Sequence, residues 1–534
     1  MKRTKNIGLV FEHFAASSHP LFHLDRPFDV APTAGRRYTP ADLATLVARL
    51  SASLHQAGLR KGDKMAIVKD NHFDTVLLAA AAARLGAVGA MISNTIRPEH
   101  LATMMGRLQP RVLVAGPSTL TAAAEAGVSL VGPDCTIIAA GEGAEHAGVL
   151  TFPNLDDPAI PAASPCGDDE PMICTHTSGT TGVPKLVVHS PNTLLGVLAK
   201  LETLPLPRLS IHKDDVVGSC ISFVHGRAIT WAAAQLARPP AEVVILSGSE
   251  PDSVVSVLGE HPPTTLEACP NIFQRWEGLT RSHPKLFSRI RTYFNTFDAV
   301  HPRTVRTFLN ASEHRSPLWV QVWGQSEVGP VSPGIYTRRQ MQKAEGRDHS
   351  ITSNVGRPFP FLVRVKAVDP ETRADLPRGR EGIVMVKTKG RCLTYLGEDD
   401  RHQEKIWDGW WNTGDIGVVS RTGGVRILDR EVDIIPGMSG IELESLLLER
   451  LPTSTEVIVL GAPGRKPVPV ISTQDGTLDP EVWRQAGEGL PKLEEPIIVD
   501  WDDFPRTATW KVRRFELREQ LLGSSQTFGS GLWT

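Results

Sequence analysis

At 534 residues the chain exceeds what a single hydrophobic core holds, so at least two domains are expected. Its 41% hydrophobic and 22% charged residues are ordinary for a soluble globular enzyme, and a formal net charge of -2 excludes a global attraction for nucleic acid or an anionic membrane. Six scattered cysteines (Cys135, Cys166, Cys174, Cys220, Cys269 and Cys392), none in CxxC spacing, argue against a zinc site or a disulfide framework and fit a reducing compartment.

The chain starts basic, but Glu12 and His13 interrupt any apolar stretch too early for a signal peptide, and a cytoplasmic location is expected. Residues 41–59 carry apolar side chains at helical spacing and end near Gly58; the short apolar run Lys64–Val68 then predicts a strand. The greasiest stretch, Val76–Ile92, has Arg84 at its middle and reads as a buried helix running into a strand, not as a membrane span. Such alternation implies a parallel sheet covered by helices on both faces. It resumes with a strand at Ala241–Ser247 and a helix at Ser253–His261. From about Gly356 short turn-separated strands predict a β-rich subdomain, about 356–430. A new α/β mixture begins past Asp433, which places a domain boundary near 429–433: residues 1–430 form a large N-terminal domain and 431–534 a small C-terminal α/β domain. The Ser/Gly-rich last dozen residues are expected to fray.

The strongest chemical signal is THTSGTTGVPKLVVHS, Thr175–Ser190. In it Thr177, Ser178, Gly179, Thr180, Thr181 and Gly182 precede Pro184 and Lys185. Glycines let backbone N–H groups approach an anion, hydroxyls donate further hydrogen bonds and the lysine adds charge, a combination suited to polyphosphate. It is not a Walker A loop, because Pro184 and Leu186 stand where Gly and Ser/Thr are required. A Ser/Thr/Gly cluster is more often only a loop, but a nine-residue match in this order outweighs that reading.

TSGTTGVPK resembles the phosphate loop of the superfamily that unites acyl- and aryl-CoA synthetases, peptide-synthetase adenylation domains and luciferase, the AMP-dependent synthetases/ligases. The resemblance runs through nearly the whole chain. QVWGQSE, Gln321–Glu327, is similar to the aromatic-Gly-x-Thr-Glu segment, which implies Trp323 and Gly324 against adenine, Ser326 at the α-phosphate and Glu327 as a magnesium ligand. GWWNTGDIG implies Asp415 on the ribose hydroxyls, and Arg430 is the implied nucleotide partner. His225 matches the histidine at the mouth of the acyl pocket, where Arg227, Phe297 and Asp298 are further candidates; a lone histidine is more often structural. PRTATWKVRRFELR resembles the C-terminal segment whose lysine is catalytic, here Lys511. A cation there orients a carboxylate against the α-phosphorus and stabilises charge on the non-bridging oxygens.

Four departures concern the transfer step after activation. Val432 replaces the hinge residue; Pro436 stands where a lysine is usual; NTFDAVHP, Asn295–Pro302, replaces Ser-Gly-Gly-Ala-Pro, so that Phe297 narrows the pocket and Asp298 adds a charge; and Trp510 replaces the glycine before Lys511. The expected activity is AMP-forming ligation: ATP and magnesium activate a small, aromatic organic acid, and CoA is the default acceptor by family frequency. The alternatives are an amine acceptor, a nitrite-using diazotase acting on an aryl amine, or a nucleotide-binding protein without catalysis. A long-chain fatty acid fits poorly if Phe297 closes the tunnel.

Overall fold

The computed structural model describes residues 5–141, 149–152, 159–177, 182–344, 350–431, 439–461 and 466–523, and it forms two compact units. Unit 1 comprises residues up to Glu267 with two later insertions, Ser326–Gly329 and Lys389–Glu404; unit 2 comprises Ala268–Gln325, Pro330–Thr388 and Lys405 onward.

Unit 1 carries the expected helix-covered sheet. The strands Lys64–Lys69, Val88–Ser93, Val112–Ala115 and Thr136–Ala139 run parallel, the first flanked by the second and third. Ile173–His176 joins in parallel beside Val88–Ser93, and Leu186–His189 then pairs antiparallel with it. The central strands are buried along their length, as two-sided covering requires. Pro40–Gln56 forms the helix expected at 41–59; Thr39 and Asp42 close a reciprocal capping box at its start. The apolar stretch at Val76–Ile92 is the helix Asp74–Arg84 followed by the strand Val88–Ser93, all of it buried. Among the described residues no helix is long and apolar enough to cross a membrane. A second group of strands in unit 1 places Leu21–Leu24 between Arg37–Tyr38, antiparallel, and Glu242–Ile245, parallel.

One buried charge cluster fixes the carboxyl end of the central strand. Lys69, 1% exposed, lies 2.7 Å from Asp74 and 2.6 Å from Asp29. Asp74 also accepts the Val30 backbone N–H at 3.2 Å. Burial alone would raise Asp29; Lys69 and Arg26 instead hold it below the usual carboxylate range.

Unit 2 contains the β-rich portion read from the sequence: Val363–Val368, Glu381–Thr388, Trp410–Val419 and Val425–Arg430 form an antiparallel sheet with Ile406–Trp407 at its edge. The short strand Thr394–Tyr395, inside the same stretch of sequence, instead belongs to unit 1, where it pairs with Leu186–His189. Two residues give too little pattern to reveal a change of sheet. The C-terminal segment builds a three-stranded sheet from Ser454–Leu460, Val468–Thr473 and Ile497–Ile498, packed on the helix Gly440–Arg450. Arg303 ties that helix to the remainder of unit 2 by donating to the carbonyls of Leu448 at 2.8 Å and Ser454 at 2.8 Å, while Glu277 balances its charge. The expected fraying of the last residues lies outside the described residues, as do Val432 and Pro436.

Candidate functional site

The flagged residues fall in both units. In unit 1 the strands on either side of the glycine–hydroxyl run, Ile173–His176 and Leu186–His189, pair antiparallel, and Thr177 and Gly182–Lys185 are its described residues. Thr177 and Lys185 close its neck: the Thr177 N–H donates to the Lys185 carbonyl at 3.0 Å, and the Lys185 N–H donates to Thr177 Oγ1 at 3.3 Å. Gly182 has φ +105°, which only glycine adopts without strain. Ser178, Gly179, Thr180 and Thr181 lie outside the described residues.

Lys185 Nζ sits 5.0 Å from the ring centroid of Tyr395, whose hydroxyl donates to Glu327 Oε1 at 2.6 Å. Burial and the adjacent Glu327 carboxylate push the Tyr395 phenol well up, so it remains a proton donor at any working pH. A backbone bond from Cys392 to the Glu327 carbonyl, 2.7 Å, fixes the same segment. Lys185, Tyr395 and Glu327 thus form one group. Tyr395 was invisible in the sequence because its strand is two residues long and 68 positions from Glu327.

His225 precedes the helix Gly226–Ala237 and is buried, its ring 5.2 Å from that of His176. Burial, reinforced by His176, lowers it to about 3, so the imidazole is neutral. The Arg227 guanidinium binds Glu267 through Nε at 2.8 Å and Nη2 at 2.7 Å, and Glu202 as well. Two carboxylates therefore already balance this cation, and their pull holds its proton more firmly still despite burial.

In unit 2 Trp323, Asp415 and Arg430 come together. Trp323 Nε1 and Gln325 Nε2 each donate to Asp415 Oδ2 at 3.1 Å, and Arg430 Nε lies 3.6 Å from Oδ1. Gln325 is held in turn by the Thr413 carbonyl at 2.7 Å and by Trp411 Nε1 at 3.2 Å. Burial raises Asp415, against the opposing pull of Arg430, Trp323 and Lys511. Trp323 packs on Val355, Val384, Val425 and Ile427, which immobilises its ring beside the exposed Gly324. Gln325 stood inside the QVWGQSE segment, but nothing in the spacing showed that its amide would meet Asp415.

Lys511 also belongs to unit 2, and its Nζ lies 3.3 Å from Asp298 Oδ1. Asp298 follows Phe297, which has φ +81°; Asn295 holds the turn by accepting Trp319 Nε1 at 2.6 Å and donating to the Asp298 carbonyl at 3.4 Å. Trp510, φ +63°, likewise keeps a left-handed backbone. Both residues occupy positions where the resembling family has glycine, and both keep a glycine-type conformation. For a residue with a Cβ this costs about 1–2 kcal/mol. Trp510 is held by stacking on Trp501, with ring centroids 5.5 Å apart, and by Arg275 over both rings. A Trp510→Ala variant keeps the strain and loses the stack, whereas Trp510→Gly loses both. The glycine variant is therefore expected to be the more stable of the two by about 1 kcal/mol, read as the difference between their denaturant midpoints. Equal midpoints would show that the backbone there is relaxed.

A helix-covered α/β unit with a glycine–hydroxyl phosphate loop, joined in one chain to a unit with a buried aspartate, an arginine and a lysine, has the makings of a nucleotide-dependent ligase. The family model described as AMP-binding enzyme matches residues 21–396, and the chain belongs to this family of ATP-dependent, AMP-forming ligases, within the superfamily of adenylating enzymes that the sequence resembled. The chain is 34% identical to the 3-amino-2-hydroxy-4-methoxybenzoate diazotase of Streptomyces cremeus, over 94% of this chain and 93% of that protein. It is 24% identical to 4-coumarate–CoA ligase 5 of Oryza sativa subsp. japonica, over 93% and 92% of the two chains. Among solved structures, that of the anthranilate CoA ligase AuaEII in complex with anthranoyl-AMP superposes with a TM-score of 0.79 at 19% identity, covering 96% of this chain and 97% of that one, a likeness of fold.

Proposed function

We propose that this protein is an ATP-dependent diazotase: it activates nitrite as a mixed anhydride with AMP and transfers the nitrosyl group to the amine of a small aromatic amino acid. The observation that carries this reading is the 34% identity, over nearly the full length, to the diazotase from Streptomyces cremeus, against 24% to the coumarate–CoA ligase. The Lys511–Asp298 pair supports it: a carboxylate beside the lysine suits an acceptor that must shed a proton.

The roles follow residue by residue. Thr177–Lys185 meets the phosphates, Ser326 the α-phosphate, Trp323 and Gly324 the adenine, and Asp415 with Arg430 the ribose. Glu327, a buried carboxylate already oriented by Tyr395, suits a hard divalent cation, and magnesium there would offset phosphate charge. A nitrite oxygen attacks the α-phosphorus, the bond to the β-phosphate bridging oxygen breaks, and diphosphate leaves while Lys511 stabilises the oxygens that gain charge. The aryl amine nitrogen then attacks the nitrosyl nitrogen, the N–O bond to AMP breaks, and Asp298 takes the proton. The resulting Ar–NH–N=O tautomerises to Ar–N=N–OH, takes up a proton and loses water. In sum, amine, nitrite and ATP give diazonium, AMP, diphosphate and water. By the family resemblance His225, neutral here, and Phe297 are each residues on the acceptor side.

With ATP, magnesium, an aminobenzoate and ¹⁵N-nitrite, AMP release should require nitrite, and the label should appear in a product trapped by azo coupling. Asp298→Asn is expected to lower product formation about a hundredfold, with nitrite-dependent diphosphate exchange far less affected. Formation of a CoA thioester from the same acid, with no reaction of nitrite, would overturn the diazotase reading. It would establish the second reading, acid–CoA ligation, which the likeness to the coumarate–CoA ligase favours.

A further inference from the structure

Two imidazoles and one carboxylate converge in unit 1 on residues that the ligase chemistry does not use. His23 lies on the strand Leu21–Leu24, Glu242 opens the parallel strand Glu242–Ile245, and His261 caps the C-terminal end of the helix Pro251–Glu260. Glu242 Oε2 is 3.5 Å from His23 Nε2 and 3.0 Å from His261 Nδ1, and the three atoms all lie within 4.8 Å of one another. The two rings are tilted 30° with centroids 3.9 Å apart.

The two spacings to Glu242 bracket the separation of ligand atoms in a metal's coordination shell, and 4.8 Å bounds the third. With metal–ligand bonds of about 2.0–2.2 Å, tetrahedral zinc holds its ligand atoms roughly 3.3–3.5 Å apart. His23 Nε2 is buried and makes no hydrogen bond among the described residues, although Glu242 lies close by. A buried ring nitrogen left without a hydrogen bond is costly unless something else is to occupy it. Burial, together with His261, lowers the His23 pKa and favours the neutral ring that a metal requires, while Glu242 pulls the other way. Arg37, opposite His23 on the paired strand, also lowers it and is an adverse charge; it is exposed and screened by water. Part of each residue remains accessible, which leaves room for water as a fourth ligand.

We infer that His23, Glu242 and His261 form a binding site for one divalent ion of the zinc class, tying the strand Leu21–Leu24 and the strand Glu242–Ile245 to the end of the helix Pro251–Glu260. The scattered cysteines argued against a zinc site, but they bear only on one built from thiolates. His₂Glu needs none, and its three members lie 219 and 19 positions from one another in sequence, too dispersed to show as a motif.

The full-length protein, stripped with chelator, is titrated with zinc chloride alone and followed by calorimetry and thermal unfolding, and with cobalt(II) followed by visible absorption. One tight equivalent, a raised unfolding temperature and the intense absorption of tetrahedral cobalt are expected. His261→Gln and Glu242→Gln, each checked for folding by circular dichroism, should weaken that equivalent at least tenfold. His261→Gln alters a partly exposed helix end, so it tests the site even if the strand variant misfolds. No tight equivalent in the unaltered protein, or one that survives His261→Gln unchanged, would overturn the site.

Discussion

Lys511→Ala is expected to lower nitrite-dependent AMP formation by a factor on the order of 10²–10³, with little change in the unfolding midpoint. The lysine is partly exposed and its one described ion pair is with Asp298, itself partly exposed, so removing it leaves no deeply buried charge uncompensated. Its contribution is made as negative charge builds on the α-phosphate, where a preorganised cation acts far more strongly than it does in the resting protein. The loss should therefore appear in kcat, with KM for ATP altered little. A variant that adenylates at the unaltered rate would remove Lys511 from the chemistry, and with it the support that the Lys511–Asp298 pair lends to the role proposed for Asp298.

Lys69→Met is expected to have the opposite profile, a cost of about 3–5 kcal/mol in stability. The lysine is buried against Asp74 and Asp29, and an apolar side chain of similar length would leave the fully buried Asp74 and the part-buried Asp29 without it, with Arg26 still on Asp29. Equilibrium denaturation in urea at neutral pH measures it. The sign with pH follows from Asp29, which Lys69 and Arg26 hold low against the effect of burial. Its contribution is complete above the unfolded carboxylate pKa and is lost as pH falls through the folded one. The gap between unaltered protein and variant should therefore narrow in acid. A gap that stays constant with pH would show that packing, and not charge, dominates at this position.

The two effects differ because charge is used differently at the two places. At Lys69 the lysine and Asp74 are fully buried and mutually satisfied, so they stabilise the fold and perform no chemistry. At Lys511 the ion pair is accessible and exchangeable, which is what a group that must turn toward a substrate requires.

Local signals carried most of the architecture. The period of apolar residues foretold the helices at Pro40–Gln56 and Asp74–Arg84, because a helix that covers a sheet must be apolar on its covered side and is buried all round when covered twice. The strands of unit 2 were legible from their turns. Thr394–Tyr395 was not, since membership of a sheet is decided by which edge remains open once the larger strands have paired. Phe297 and Trp510 were legible as replacements of glycine, but a replacement does not say whether the backbone changes with it. The structure keeps φ at +81° and +63°, so here the surrounding contacts dictate the backbone and the side chain bears the strain.

By itself the sequence determined that this chain is an adenylating enzyme, because phosphate loops, the segment through Glu327 and the lysine segment are short runs whose chemistry is written in consecutive residues. Only the tertiary structure decided which side chains hold those residues in place: Tyr395 on Glu327, Gln325 on Asp415, Asp298 on Lys511, and the pairing of His23 with Glu242 and His261. Such partners are joined by distances of a few ångströms across tens or hundreds of positions, and no local pattern encodes a contact made by the folding of distant segments onto one another.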